Sequence, residues 1–195
     1  GQDRTHLDPH VVLSWVGAAT ERLILGTGSL IPHRHPIQLA GALASLSVLA
    51  GGRVIVGMGL GSFDHEFEAI GLGEADRGEL MAEQIAIVRR LWTGQSVTHE
   101  GKHYRFADVV SEPRPVTKPH PAIWIAANPR PSAKADLKTN VERATRRITR
   151  HASGWMTTWL SPEEFADRWG LLRESLVAEG RDAAAFDNTL YYNVN

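Results

Sequence analysis

The feature that most constrains the fold is a regular alternation between two apolar patterns along the 195-residue chain. Short runs rich in apolar and β-branched residues are typical of strands, and they occupy residues 22–30, 53–60, 122–127, 154–159 and 189–195. Between these runs, apolar residues recur every three or four positions, as on the buried face of a helix. We therefore predict five strands alternating with four helices, which are built on the stripes 39–50, 81–92, 141–151 and 165–176.

Local end signals support several of these boundaries. Gly51 and Gly52 follow the first helical stripe, at the position where a left-handed residue commonly ends a helix. Residues 161–164 (SPEE) have the form of a capping box with proline at the first helical position. The segment 97–106 (VTHEGKHYRF) breaks the alternation and predicts a small hairpin that turns at residues 100–101.

Strict alternation of strands and helices predicts an α/β fold with a parallel sheet. The run 53–60 (RVIVGMGL) is apolar on both faces, which favours a sheet covered by helices. Such a sheet is either doubly wound or closed as an eightfold barrel, and a full barrel needs about 250 residues. The chain opens on Gly1 and stops inside a strand-type run, so we expect parts to be missing on both sides. The prediction is a single domain over residues 1–195, a partial TIM (β/α)8 barrel with about strands 3 to 7 present.

Composition excludes several classes of function. The formal net charge is -1, so no strong field favours nucleic acid or an acidic membrane surface. The chain has no cysteine, which excludes disulfides, zinc–thiolate sites and thiol nucleophiles. No run approaches the ~18 apolar residues of a membrane span, and no signal peptide opens the chain. We expect a cytoplasmic protein without nucleic-acid or membrane partners.

Loops at the carboxyl ends of parallel strands bind ligands in both architectures. Two of these loops are rich in glycine, at residues 26–29 (GTGS) and 57–62 (GMGLGS). Glycine lets the backbone approach a flat ring or a phosphate closely, although such a loop also serves as a tight turn. The second loop departs from the dinucleotide fingerprint G-x-G-x-x-G, because Ser62 stands where the last glycine belongs. Ligand contact and tight turn both stay open as interpretations.

Histidines near these strand ends are candidates for binding. His33 and His35 lack a carboxylate at matching spacing, so we predict turn or substrate-pocket residues and no metal site. His65 stands between Asp64 and Glu66, a pattern typical of a helix start with acids near its positive end.

Three further residues are candidate phosphate ligands. Arg77 precedes a helical stripe, and Asn128 and Arg130 follow a strand end. An amide and a guanidinium there suit a phosphate, and surface salt bridging is the alternative. Trp155 and Trp159 lie in the fourth strand, where we expect one to pack in the core and the other to line a pocket. The serines lack the G-x-S-x-G context of a nucleophile, so a hydrolase is poorly supported.

A longer set of motifs resembles one family across nearly the whole chain. Residues 20–71 (TERLILGTGSLIPHRHPIQLAGALASLSVLAGGRVIVGMGLGSFDHEFEAIG) look like strand three, helix three and strand four of the bacterial luciferase-like monooxygenases. The pattern continues in Arg77 and Glu83, spaced R-x-x-x-x-x-E, and in residues 88–94 (VRRLWTG). It extends through EGKHYRF, the P-x-P run at residues 113–115, AIWIAAN and SGWMTTW.

This resemblance implies an eightfold barrel that binds FMN, or the deazaflavin coenzyme F420, at its strand ends. In this family a bulge, often with a non-proline cis peptide, supports the central face of the ring. Here that bulge would consist of Thr27, Gly28 and Ser29. Met58 and Gly59 would lie beside the reactive carbon of the cofactor.

The resemblance also implies phosphate and substrate contacts. Arg77 would reach the cofactor phosphate, and Asn128 and Arg130 would add contacts from the loop after the fifth barrel strand. The sequence assigns no catalytic residue, and the weaker candidates for a substrate pocket are His33, His65 and Trp155.

The implied function is that of a flavin-dependent oxidoreductase or monooxygenase, which acts on a small organic substrate with reduced FMN and dioxygen. One alternative is an F420-dependent dehydrogenase or reductase, in which a second redox donor replaces dioxygen. Another is a non-catalytic flavin-binding or structural relative. A homodimer is expected from the family.

Overall fold

The structure, a computed structural model, describes residues 7–73, 75–132 and 135–191. Within these ranges the helices are α1 (Pro9–Ala19), α2 (Pro36–Leu49), α3 (Asp64–Glu68), α4 (Arg77–Leu91), α5 (Leu137–His151) and α6 (Pro162–Ala178). The strands are β1 (Leu25–Gly26), β2 (Val54–Met58), β3 (Val97–Glu100), β4 (Arg105–Val109), β5 (Ala122–Ala126), β6 (Gly154–Thr158) and β7 (Asp187–Tyr191).

The main sheet has the strand order β1-β2-β5-β6-β7. β1 pairs in parallel with β2, β5 with β6, and β6 with β7. β3 and β4 form a separate antiparallel pair in which Glu100 lies opposite Arg105. The predicted α/β class with a parallel sheet is therefore confirmed, and so is the predicted hairpin.

The described residues divide into two compact units. Unit 1 comprises the described residues of 7–27, Pro32–Val56 and Phe63–Pro121. Unit 2 comprises Gly28–Ile31, Gly57–Ser62 and the described residues of 122–191. The single domain expected over residues 1–195 stays a prediction.

The core of unit 1 contains both of its predicted helical stripes. Buried residues in or directly after α2 and α4 are Leu39, Leu43, Leu46, Ala50, Met81, Ile85, Val88 and Trp92. Trp92 Nε1 donates a hydrogen bond to the Ala40 carbonyl at 3.0 Å, so the polar atom of this buried ring is satisfied. The α2 segment ends at Gly51 and Gly52, whose φ angles of 59° and 86° confirm the predicted glycine stop.

Unit 2 contains α5 and α6, which pack on each other. Their buried apolar residues are Val141, Ala144, Ile148, Leu172 and Leu176, all within the predicted stripes. Ser161 Oγ accepts a hydrogen bond from Glu164 N–H, and the Glu164 carboxylate accepts one from Ser161 N–H at 2.8 Å. The predicted capping box is thus confirmed, and it fixes the start of α6.

The structure corrects the predicted number of helices from four to six within the described residues. α3 lies where the acidic pattern indicates a helix start, whereas the apolar pattern does not predict α1. The Asp8 side chain accepts hydrogen bonds from the N–H groups of His10 and Val11, and Pro9 takes the first helical position. The Asp8 cap is the sequence signal for α1, because Gly17 is the one buried residue within this helix and its apolar residues form no buried stripe.

Two predicted strands have different bounds in the structure. β1 covers only two residues of the predicted run 22–30, because Gly28 and Ser29 interrupt its ladder with β2. β7 begins at Asp187, ahead of the predicted run 189–195. Residues 192–195 of that run lie outside the described residues.

Candidate functional site

The chain forms a bulge where β1 ends. Thr27 N–H donates to the Ile55 carbonyl at 3.3 Å, and Leu30 N–H donates to the Gly57 carbonyl at 2.8 Å. Between these two hydrogen bonds the first strand advances three residues, from 27 to 30, while β2 advances two, from 55 to 57. The first strand therefore contains one extra residue. Such a bulge redirects the backbone at the carboxyl edge of the sheet.

The peptide bond between Gly28 and Ser29, inside this bulge, is cis. Thr27, the residue before them, is 3% exposed. The bulge and the cis bond match what the family resemblance implies for these three residues. Their contact with a cofactor ring stays a prediction.

A narrow cradle of small residues lies at the end of β2 in unit 2; we define it as Ser29, Gly59 and Ala126. A Cβ atom added at Gly59 would lie 2.4 Å from Ser29 Oγ and 3.5 Å from Ala126 Cβ, so a larger residue requires movement. Gly59 N–H donates to the Leu30 carbonyl at 2.8 Å, which holds this backbone in place. Met58 is 2% exposed, so its side chain packs in the core. The cradle is therefore lined by small residues, and the Ser29 hydroxyl fills the space that a Cβ atom at position 59 would need.

Asn128 and Arg130 both reach the end of β6 and the turn after it. Asn128 Nδ2 donates to the Thr158 carbonyl at 2.5 Å, and Arg130 Nη2 donates to the Trp159 carbonyl at 3.0 Å. Arg130 Nη1 also lies 3.8 Å from Glu164 Oε1, and this arginine is exposed. Asn128 Oδ1 is buried and has no hydrogen-bond partner among the described residues. The structure thus brings these two candidates together, and one of them carries an unsatisfied acceptor.

Trp155 and Trp159 lie in different surroundings. Trp155 is 3% exposed, and its ring stacks on Phe165 of α6 with centroids 5.1 Å apart. Its Nε1 donates to the Ala127 carbonyl at 2.9 Å. Trp159 is exposed. Trp155 is therefore the core residue of the pair, and its role in a substrate pocket stays a prediction.

In unit 1, Arg77 is the first residue of α4 and is oriented by two neighbours. Its guanidinium forms an ion pair with Asp64 and lies 4.1 Å from the centroid of the Phe67 ring. The Arg77 side chain is 19% exposed, whereas that of Asp64 is 86% exposed. The aromatic face and the carboxylate together fix the position of the cation, which suits its predicted contact with a phosphate.

The two histidine candidates of unit 1 are both exposed. His33 lies in the segment before α2, and His65 is the second residue of α3. The His65 ring lies 5.5 Å from that of Phe63. Both remain candidates for substrate contact, and no described geometry assigns them a chemical role.

Unit 1 also contains a half-buried histidine, His10, that the sequence patterns do not single out. Its side chain is 11% exposed, its Nδ1 lies 3.5 Å from Asp8 Oδ1, and neither ring nitrogen has a hydrogen-bond partner among the described residues. Burial and the charge of Arg34, which hydrogen-bonds to Asp8, lower the pKa of His10 from its ordinary 6.5, although Asp8 opposes this. These surroundings favour the neutral imidazole.

The described residues contain neither a metal-binding group nor a membrane-spanning helix. Among residues 7–73, 75–132 and 135–191, no group of three or more metal-ligating side chains could hold a metal ion. No helix in that part of the chain is both long and apolar enough to cross a membrane.

Residues 1–194 match the family model described as luciferase-like monooxygenase. The chain belongs to this family. Among family relatives, an F420-dependent glucose-6-phosphate dehydrogenase from Microbacterium testaceum is 36% identical over 190 residues, 94% of this chain and 52% of that protein. The oxygenase component of a flavin-dependent trigonelline monooxygenase from Acinetobacter baylyi is 32% identical over 123 residues, 62% of this chain and 34% of that protein.

Solved structures show the same fold in longer chains. A monooxygenase from Streptomyces bottropensis matches with a TM-score of 0.78 and 32% identity, covering 95% of this chain and 54% of that one. A riboflavin lyase matches with a TM-score of 0.81 and 22% identity, covering 97% and 45%. The chain thus spans about half the length of these family structures. The predicted partial luciferase-like barrel is confirmed as the fold.

Proposed function

We propose that this member of the family is a flavin-dependent oxidoreductase that oxygenates a small organic substrate with reduced FMN and dioxygen. The observation that carries the proposal is the cradle of Ser29, Gly59 and Ala126, whose small residues pack closely at the carboxyl ends of parallel strands, the edge where ligands bind in this fold. Relatedness to a flavin-dependent monooxygenase supports the same assignment.

The residues of unit 2 suit a flavin-type cofactor in two respects. The cradle presents small residues at the carboxyl edge of the sheet, and Asn128 Oδ1 is a buried acceptor whose missing donor a ligand N–H or O–H would supply. When bound, the cofactor supplies the redox chemistry, since reduced FMN delivers electrons to dioxygen and F420 exchanges a hydride. The chain's own residues bind the ring, orient it and exclude water from it.

One residue of unit 1 has a property that such a reaction uses. Arg77 presents a guanidinium already oriented by Asp64 and Phe67, and guanidinium groups bind phosphate through charge-assisted hydrogen bonds. We propose that Arg77 binds the cofactor phosphate.

An F420-dependent dehydrogenase or reductase is the second candidate function. The 36% identity to an F420-dependent glucose-6-phosphate dehydrogenase, over 94% of this chain, favours it. This candidate uses the same cradle for the deazaflavin ring, and a hydride would pass between the substrate and F420 without dioxygen.

Cofactor titration tests the proposal. The purified chain is titrated with FMN and with F420 while the fluorescence of each cofactor is followed, and oxygen uptake is then recorded with reduced FMN. We expect FMN to bind and the time course of oxygen uptake by bound reduced FMN to differ from that of free reduced FMN at the same concentration. Binding of F420 alone would support the second candidate. A folded chain that binds neither cofactor would contradict both and would point to a structural relative.

We also propose that the chain forms a homodimer. On α1, Val11 and Trp15 lie one turn apart and are 68% and 74% exposed. A pair of large exposed apolar side chains on one helix face is typical of a protein interface. Light scattering should give about twice the chain mass of 21.4 kDa, and a single species at 21.4 kDa would contradict the proposal.

Replacing Gly59 with alanine is expected to weaken cofactor binding by roughly tenfold, about 1.4 kcal/mol. The new methyl group would lie 2.4 Å from Ser29 Oγ, so Ser29 would have to shift within the cradle that the ring is proposed to contact. Gly170→Ala is the matched control, because a Cβ atom there meets no atom within 4 Å in the helix α6. The control should leave binding unchanged and raise the melting temperature slightly. Equal binding by both variants would count against the cradle as the ring site.

A further inference from the structure

The orientation of the Asn128 side-chain amide is determined by its neighbour. The Thr158 carbonyl can only accept a hydrogen bond, so the amide must turn its Nδ2 toward that oxygen. This leaves Oδ1 facing away from Thr158, buried and without a donor among the described residues. Buried acceptors in folded proteins are normally paired with a donor. We therefore expect a bound ligand to supply the donor that the described residues lack.

A phosphate does not supply that donor. At neutral pH phosphate oxygens are acceptors, and a second acceptor placed against Oδ1 would be repelled by it. The phosphate role that family resemblance implies for Asn128 therefore conflicts with the way its amide is held. The group that faces Oδ1 must carry an N–H or an O–H.

The position of Asn128 relative to the cradle indicates which part of a cofactor would donate a hydrogen bond to Oδ1. Ala127 N–H donates to the Met156 carbonyl at 3.0 Å, so the extended backbone of β5 continues past Ala126. Successive side chains of an extended strand point to opposite faces, and Asn128 therefore shares a face with Ala126. Ala126 lies against Gly59 in the cradle. The unsatisfied acceptor thus lies on the face where the flat ring is proposed to bind.

We propose that Asn128 Oδ1 accepts a hydrogen bond from the phosphate-free part of the cofactor, either the imide N–H of the ring or a hydroxyl of its side chain. This inference rests on the proposed function, because it assumes a flavin-type ligand. It makes Asn128 a residue that recognises the ring-bearing half of the cofactor, and it leaves phosphate binding to cationic side chains.

Three ligands that differ by one added group each test this assignment. Lumiflavin has the ring alone, riboflavin adds the hydroxylated chain, and FMN adds the phosphate. Dissociation constants for all three are measured by fluorescence quenching with the unsubstituted chain, Asn128→Ala and Asn188→Ala. Asn188 is an exposed asparagine on β7 and serves as the matched control. If F420 is the cofactor, F420 and its phosphate-free deazaflavin riboside replace FMN and riboflavin.

We expect Asn128→Ala to weaken the binding of riboflavin and of FMN by the same factor, roughly tenfold. Asn188→Ala should leave the binding of both ligands unchanged. Equal weakening of lumiflavin would identify the ring imide as the donor, and unchanged lumiflavin binding would identify a hydroxyl. Weaker FMN binding with unchanged riboflavin would overturn the inference in favour of a phosphate contact, and so would no effect on any ligand. An unsubstituted chain that binds none of the ligands would overturn the proposed function together with this inference.

A second variant controls for a folding defect. Asn128→Ser removes Oδ1 but keeps a short polar side chain at this half-buried position. Melting curves of both variants establish that they fold. The serine variant should also weaken the binding of riboflavin and of FMN by equal factors, and a serine variant with unchanged binding would overturn the inference.

Discussion

Replacing Glu83 with alanine is expected to lower the free energy of unfolding by about 3 kcal/mol, because the carboxylate anchors the β3–β4 hairpin to α4. Its oxygens lie 2.9 Å from His99 Nε2, and they accept hydrogen bonds from His103 N–H at 3.0 Å and Tyr104 N–H at 3.1 Å. The Glu83 side chain is only 13% exposed. Its removal would leave backbone donors of the hairpin without a partner, and urea unfolding measures the cost.

Glu79→Ala is the matched control for that substitution. Glu79 lies on the same helix, and its ion pair with Lys102 is exposed, at 57% and 69% for the two side chains. Exposed pairs contribute about 0–1 kcal/mol, so the control should change stability little. Equal losses for the two variants would contradict the anchoring role of Glu83.

The stabilisation by Glu83 should also depend on pH. Burial opposes its ionisation, but hydrogen bonds from His99 and from the His103 and Tyr104 N–H groups outweigh it and lower the Glu83 pKa from the ordinary 4.5. A carboxyl with a lowered folded-state pKa stabilises the fold above its ordinary value and loses that contribution as pH falls through the lowered one. The difference in unfolding free energy between the unsubstituted chain and Glu83→Ala should therefore stay constant above pH 4.5 and decrease below it. Urea unfolding at each pH measures this difference.

Replacing Arg77 with glutamine is expected to weaken FMN binding roughly 10- to 150-fold while riboflavin binding stays unchanged. The range corresponds to the ~1.5–3 kcal/mol of a hydrogen bond to a charged group, and riboflavin lacks the phosphate that would receive it. The guanidinium is already held by Asp64 and by the Phe67 ring, so little ordering is required when an anion binds. Fluorescence titration of both ligands measures the difference.

Arg90→Gln provides the control for the arginine. Arg90 lies in the last turn of the same helix, is exposed, and donates to the Thr98 carbonyl at 2.9 Å. It should leave both ligands unaffected. Equal weakening of FMN and riboflavin by Arg77→Gln would show a general loss of structure and would remove Arg77 from the phosphate site.

Elements with strong local signals were predictable from the sequence. α2 and α4 carry regular apolar stripes, and α6 carries both a stripe and the capping box at residues 161–164. α1 was not predictable from periodicity, because its large apolar residues Val11 and Trp15 are exposed and form no buried stripe. Its start is encoded by Asp8, a single capping residue that is easily missed.

The candidate site was predictable in position but not in detail. The rule that ligands bind at the carboxyl ends of parallel strands selects the loops with Gly59 and Asn128. The free acceptor of Asn128 depends on the Thr158 carbonyl, thirty residues further along the chain. The environment of His10 likewise depends on Arg34 and its hydrogen bond to Asp8. Such details arise from tertiary contacts, and local sequence patterns do not encode them.

We propose above that a flavin-type ring binds against the cradle of Ser29, Gly59 and Ala126. A crystal structure of the chain with bound FMN, or with F420 if only that cofactor binds, tests this placement. Ring density is expected in contact with Gly59 and Ala126, with a cofactor N–H or O–H within hydrogen-bond distance of Asn128 Oδ1. A ring bound elsewhere, or a phosphate against Asn128 Oδ1, would contradict the placement.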